Sequence, residues 1–425
     1  MNERPCLIGV LLVLLAAGFA RGEDWPQWRG PGRTGATDEP SGHPAGWPPK
    51  QLWAADVGRG GTSPILADGK VFVLGWQGRG KGKGDDGVFC LDAATGKQLW
   101  KQTYASRYYG RHATGDKGRY GGPNSTPTYD PQTKRLYTLG LDGDFCCWDV
   151  ADGGKRVWAK NLYDEFRVPQ RPNVGGGKRD FGFSSAPLIH GDVVILDVGG
   201  RAGLVIAFDK GTGAVRWQSQ SKELAGSSGG PAPMAFGNLE AVASLGLTKL
   251  VVTRIDKGHE GQTLAETRWQ TQFACNIATP GVAGDHVVLT SAYNVKRTAL
   301  FRIAPGRARQ AWKAREHCTV SSPVVHGGKV FLAGGALTCL DAGTGRKKWS
   351  VGNLGQGGSC IATGDGKLIG AGRGRVILVE AATGKQLAEH KGVPSGWPSV
   401  AFGDGIILCK DDRGKVVALS VKQRR

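Results

Sequence analysis

The sequence predicts an all-β fold, an eight-bladed β-propeller of four-stranded antiparallel blades, and three observations predict it. Glycine supplies 69 of the 425 residues, roughly 16 % against a usual share of about 7 %, and proline is not raised to match. A turn motif, Asp92-Ala-Ala-Thr-Gly-Lys-Gln-Leu-Trp100, recurs along the chain. A second kind of hairpin alternates with it, so each copy carries four short strands.

The N-terminus is read first. Arg4 precedes an apolar run from Leu7 to Ala20, followed by small residues, which is the pattern of a secretory signal cleaved near Ala20 to Gly22. The run is shorter than the about 20 residues that cross a bilayer, and no second one follows. Residues 1–22 are therefore expected to be a signal peptide, with an uncleaved anchor as the alternative, and the remainder to be periplasmic or secreted. Cys6 precedes the run and no cysteine follows it directly, so lipid anchoring is not expected. Residues 23–49 form an arm that Trp25 and Trp28 would pin against the ring, and residues 50–425 form the propeller.

The motif recurs at Asp149–Trp158, Asp209–Trp217, Asp341–Trp349 and Glu380–Ala388, with worn copies ending at Trp269 and Trp312. Its chemistry is that of a turn. The aspartate accepts from backbone N–H groups just downstream, and glycine supplies a positive φ. Upstream lies a hairpin such as Pro64 to Leu74, turning at Asp68-Gly69. Units open near Ser63-Pro64, Thr126-Pro127, Ala186-Pro187, Gly230-Pro231, Thr279-Pro280, Ser322-Pro323, Ser359-Cys360 and Pro398-Ser399. The 376 residues from Lys50 to Arg425, divided by eight, give 47 per unit, within the roughly 40–50 of a propeller blade. The count falls to seven if the worn unit from Ala232 to Gln272 is not a blade. The last unit lacks a tryptophan strand, and Gln51 to Val57 looks like that strand displaced to the front, so the N-terminal strand is expected to close the last blade.

Trp53, Trp100, Trp158, Trp217, Trp269, Trp312 and Trp349 are read as sharing one repeat position and packing between blades. Cys90, Cys147 and Cys339 each stand two residues before the acidic residue of the motif. Equivalent strands of different blades are too far apart to bridge, so the cysteines are expected to be free, buried thiols. Cys146-Cys147 are adjacent in a strand and their sulfurs should point apart.

The net charge of +19 falls to +18 without Glu3, Arg4 and Arg21 of the signal. It invites a nucleic-acid reading, which export and the lack of any nucleic-acid motif oppose; an acidic envelope polymer or protein is the sharper alternative. Gly226-Ser-Ser-Gly-Gly230 matches Gly-x-Ser-x-Gly but lacks the strand-turn-helix setting of a hydrolase elbow. Gly78 to Gly84 lacks the Ser/Thr and helix of a phosphate loop and reads as a flexible basic loop. No Cys-x-x-Cys or His-x-x-x-His pair is present, and no catalytic or metal-binding residue is assigned. The first and third turns of each unit are short. The long segments, Gly75–Gly87, Ala105–Gly122, Tyr163–Gly182 and Gln218–Gly230, all belong to the opposite face. Arg107, Tyr108, Tyr109, Arg111, His112, Arg119 and Tyr120 on one loop, and Arg167, Arg171 and Arg179 on the next, are the candidate partner-binding residues, since Arg and Tyr are favoured at interface hot spots. The alternative is that these loops are solvated and pair their own charges.

The repeat Ala/Cys-x-Asp-Ala-x-Thr-Gly-x-x-x-Trp resembles that of pyrroloquinoline-quinone (PQQ) type propellers. With Trp25-Pro-Gln-Trp-Arg-Gly-Pro-Gly-Arg-Thr-Gly35, Leu52-Trp53 and the segment Gly358 to Glu380, residues 24–421 resemble the exported PQQ-like propellers of planctomycete-type bacteria. Two relatives share the repeat: quinoprotein alcohol dehydrogenases, which hold the quinone and calcium at the propeller centre, and the lipoprotein scaffold of outer-membrane β-barrel assembly, which has no cofactor. The resemblance implies a monomeric, non-catalytic binding or scaffolding propeller without cofactor. A PQQ- and calcium-dependent oxidoreductase is the first alternative, and an envelope polysaccharide-binding module the second.

Overall fold

The apolar runs that precede each Asp turn are unusually continuous for antiparallel strands, and blade stacking explains them. Val88 and Cys90 pack with Tyr129, Leu136 and Cys146 of the next blade, whereas Phe89 and Leu91 pack with Leu408 and Leu419 of the previous one. Both faces of the strand are covered, so alternation between apolar and polar positions is lost. The computed structural model describes residues 22–80, 82–107, 121–169, 181–272 and 275–422.

Eight four-stranded antiparallel sheets form the ring. The first blade comprises Ile65–Ala67, Lys70–Gly80, Lys83–Asp92 and Gln98–Arg107. The next six span 128–161, 188–218, 232–268, 281–314, 324–355 and 359–391. The eighth takes Ala401–Gly403, Ile406–Lys410 and Lys415–Ser420 from the C-terminus and Lys50–Asp56 from the N-terminus, paired Trp53 to Ala418 and Asp56 to Lys415. The displaced strand thus closes the ring. The worn unit is a complete blade, Ala232–Phe236, Leu239–Leu245, Lys249–Arg254 and Thr263–Arg268, so the count is eight. Among the described residues, no helix is long and apolar enough to cross a membrane.

Turn chemistry follows the motif. Asp92, Asp209 and Asp341 each accept from the amide and hydroxyl of the threonine three residues on, at 2.7–3.0 Å. The glycine after that threonine has φ near 70° and lies under the tryptophan of the preceding blade. A Cβ added at Gly96 would sit 2.6 Å from a ring carbon of Trp53, and Gly154, Gly213, Gly345 and Gly384 stand in the same relation to Trp100, Trp158, Trp312 and Trp349. The Trp53 and Trp312 indoles donate to the Ala93 and Ala342 carbonyls of those turns, both at 2.8 Å. Trp217 is half-buried against Val242, Val251 and Ile255 of the fourth blade.

Two expectations are corrected. Trp269 does not share the repeat position: Ala265 occupies it, opposite Val252 at the register shift where other blades place tryptophan. Trp269 lies four residues further, beyond the strand end, and the next blade's turn, between Ala304 and Arg307, lacks the Thr-Gly on which an indole rests. Gly75–Gly87 is not a loop but an extension of a hairpin, with Trp76 paired to Asp86 and Gly78 to Gly84. Glycines 78 and 84 lie against the Trp76 ring, where a side chain would collide.

Candidate functional site

The arm fills the centre of the ring. Trp25 bridges to Leu66 in the innermost strand of the first blade, Tyr129 N–H of the second donates to the Pro26 carbonyl, and Ala36 bridges to Ala362 of the seventh. The innermost strands have no sheet partner toward the axis, so their backbone groups need another one. Arg29 donates to the carbonyls of Pro280 at 3.0 Å and Thr34 at 2.8 Å, and also to Pro323. Arg33 donates to Pro187 at 2.7 Å, Ala186 at 3.2 Å and Gly229 at 3.3 Å. Apart from Thr34 of the arm itself, these acceptors lie where the repeat units open and proline or glycine brings a carbonyl toward the axis. Two arginines of a Gly/Pro-rich segment thus clasp at least four blades from inside.

Burial sets the electrostatics. Desolvation pushes Arg29 down to about 10 and Arg33 to about 9, so both remain cationic at neutral pH. Asp197, 2 % exposed, is pushed up to about 7 by desolvation, against a hydrogen bond from Ser244 at 2.7 Å and the charge of Arg33.

Above the arm, on the long-loop face, a funnel of about 380 Å³ opens. Trp28 lines it, its indole donating to Thr279 Oγ1 at 3.0 Å. Each blade adds one to three residues, among them Gly61, Asn124, Phe181, Ser227, Ile277, Tyr293, Val320, Gly357, Trp397 and Ser399. The lining is aromatic and hydroxyl-bearing, with no charged side chain among the described residues. Tyr293 has φ of 52°, a rare conformation for a bulky side chain and of the sort that gathers at functional sites.

Of the candidate partner-binding residues, Arg107 and Arg167 are described. Arg107 ends the outermost strand of the first blade, and its amide donates to Asp142 at 2.9 Å. Arg167, exposed, follows the short helix Leu162–Phe166 with φ of 49°. Glu165 on that helix pairs with Lys160 at 2.9 Å. Tyr108, Tyr109, Arg111, His112, Arg119, Tyr120, Arg171 and Arg179 lie outside the described residues. The first described funnel residues after those two segments are Asn124 and Phe181. Sequence reading marks Trp28 as a pin of the arm but not as a funnel residue, and it misses Tyr293, Trp397 and the arginine clasp, which carry no local pattern. The signal present was Arg29 and Arg33 in a segment without an acidic neighbour until Asp38.

Fit to a quinone and calcium was tested against these residues. Calcium takes six to eight oxygen ligands, carboxylates prominent among them. The described funnel lining supplies no carboxylate, and no group of three or more His, Cys, Asp or Glu able to hold a metal occurs among the described residues. Cys146 packs between the first and second blades and Cys147 between the second and third, so neighbours in sequence lie in different cores. All eight described cysteines are buried, and Cys146 and Cys147 are both free thiols. The described residues therefore supply no carboxylate set for a calcium ion.

Comparison with known proteins adds the family. The family model described as outer membrane protein assembly factor BamB matches residues 48–130 and 116–351. The dehydrogenase subunits of quinone-dependent alcohol dehydrogenase from Komagataeibacter europaeus and Gluconacetobacter polyoxogenes are each 32 % identical over 178 residues, 40 % of this chain and 21 % of theirs. The chain thus aligns with about a fifth of the length of these curated relatives. BamB from Moraxella catarrhalis superposes with a TM-score of 0.58 at 13 % identity, over 88 % of this chain and 99 % of that one. Quinohemoprotein alcohol dehydrogenase from Comamonas testosteroni gives 0.61 at 15 %, over 95 % and 81 %. At such identities the superpositions establish the fold alone. With the repeat, the eight blades and the model match over most of its length, the chain belongs to the PQQ-repeat propeller family of the outer membrane protein assembly factor BamB.

Proposed function

We propose that this chain is an exported, non-catalytic binding propeller of the bacterial envelope, which takes a protein partner on its long-loop face. The observation that carries the reading is the arm. It occupies the ring centre with the chain's own residues and leaves above it a funnel whose described lining is uncharged and partly aromatic. That composition suits the apolar centre of an interface, around which the Arg- and Tyr-rich segments 107–120 and 167–179 would supply the polar rim. The family's description as an outer membrane protein assembly factor supports an envelope location and a scaffold role.

A second reading has its own support in the 32 % identity to quinone-dependent dehydrogenase subunits. One experiment separates the two. The purified chain is incubated with PQQ and calcium, then analysed by metal content and visible absorbance. The binding reading expects no stoichiometric uptake, and uptake of both would replace it with the oxidoreductase reading. Envelope crosslinking then tests the surface. Charge reversal at Arg111, Arg119 and Arg171 should abolish the wild-type adduct, and an unchanged adduct would remove these loops from the interface.

A further inference from the structure

We propose that a niche between the fourth and fifth blades binds an oxyanion group, presented by an acidic sugar or another small polar ligand. Its walls are residues 268–272, which leave the outermost strand of the fourth blade, and Asn294 to Arg297 of the fifth. They enclose about 390 Å³. The niche is separate from the central funnel: Tyr293 lines the funnel, and the next residue, Asn294, lines the niche. The proposal does not depend on a protein partner at the funnel.

The charge is one-sided. Arg268 and Arg297 both line the niche, no carboxylate does, and neither guanidinium has an ion-pair partner among the described residues. Arg268 donates instead to the neutral Gln270 Oε1 at 3.1 Å. Arg297 is held in place over the Trp269 ring, 5.2 Å from its centroid. Among the described residues the Arg297 Nε and the Trp269 Nε1 are both buried donors without an acceptor, a state that costs stability and that folds tolerate where it holds a group for a purpose. A planar guanidinium fixed by stacking is suited to pair with a carboxylate or sulfate through two parallel hydrogen bonds.

The walls are rigid before any ligand arrives. Buried Asn276 donates to the carbonyls of Gly246 at 2.6 Å and Trp269 at 3.0 Å, and accepts from Thr271 at 2.9 Å. Gln272 N–H donates to Asn294 Oδ1 at 2.8 Å and ties the two blades together. The turn that presents Asn294 and Arg297 holds Tyr293 and Lys296 at φ of 52° and 40°, strain that the blade contacts must sustain. This is also where the repeat departs from its pattern, with Ala265 in the usual tryptophan position and Trp269 serving as the platform for Arg297. The carboxamides of Gln270, Gln272 and Asn294 can bond sugar hydroxyls beside the anion.

Titration calorimetry of the full chain at low salt tests the assignment, with trigalacturonate, its methyl ester and sodium sulfate as probes. Trigalacturonate should bind, with the neutral ester roughly tenfold weaker or more. Arg268→Gln and Arg297→Gln should each weaken it by a similar factor. Arg268 is exposed, so its variant should keep the wild-type unfolding midpoint. Sulfate bound as tightly, and lost in the same variants, assigns the niche to a free oxyanion; weaker sulfate binding assigns it to the acidic sugar. No binding of either anion, or binding that both variants leave unchanged, overturns the proposal.

Discussion

Replacing Gly96 by alanine probes the contact that closes the ring. Gly96 has φ of 72°, and an added Cβ would meet the Trp53 indole at 2.6 Å. Gly306 makes a control, with φ of 71° in the equivalent turn of the fifth blade and nothing within 4 Å of an added Cβ. A left-handed alanine costs about 1–2 kcal/mol in the folded chain, partly offset by the stiffer unfolded chain. Gly306→Ala should therefore lose about 1 kcal/mol. Gly96→Ala adds the displacement of a packed indole, about 1–3 kcal/mol for overpacking, and should lose about 2–4 kcal/mol. The assay is urea unfolding, with the m-value checked for constancy. A third measurement isolates the cause: in a Trp53→Ala background the ring is gone, so Gly96→Ala should fall to the Gly306→Ala cost. Equal costs for the two single variants, or no relief in that background, would refute the claim that blades interlock by indole on glycine.

Two further outcomes are expected. Asp197 has its pKa raised by burial from 3.8 to about 7, so the folded state holds a proton that the unfolded state releases, and stability falls as pH rises from about 4 to about 7. The full effect is of order 4 kcal/mol, and Asp197→Asn should flatten the urea midpoint over pH 5–8; a wild-type midpoint already flat there would reject it. Burial pushes the Cys146, Cys147 and Cys409 thiols up to about 12. Iodoacetamide at pH 8 should label them after unfolding and leave them intact in the native chain, as read by mass spectrometry; prompt native labelling would show that the blade cores open.

The fold was legible because its signals are local. Asp, Thr and Gly within five residues specify a turn, and the motif's return at similar spacing specifies a ring. The strand Lys50–Asp56 betrayed ring closure because the final unit lacked it. Where the pattern misled, a local signal had a second meaning. Gly78 and Gly84 looked like loop residues, yet they are small because Trp76 lies on them. Trp269 ended a worn copy at about the right distance, but no Thr-Gly turn lay beneath it to receive an indole.

The sequence alone determined the blade, its turns and a count of seven or eight copies, since each depends on residues close along the chain; the worn fourth unit needed the structure to be counted as a blade. Only the tertiary structure decided what stands at the centre. The funnel draws one to three residues from each blade, with blades about 47 residues apart, and neighbours in sequence carry no trace of such an assembly. The roles of Arg29 and Arg33 depend on the width of a ring of eight blades and on carbonyls that its innermost strands leave unpaired. Those quantities exist only once the ring has closed.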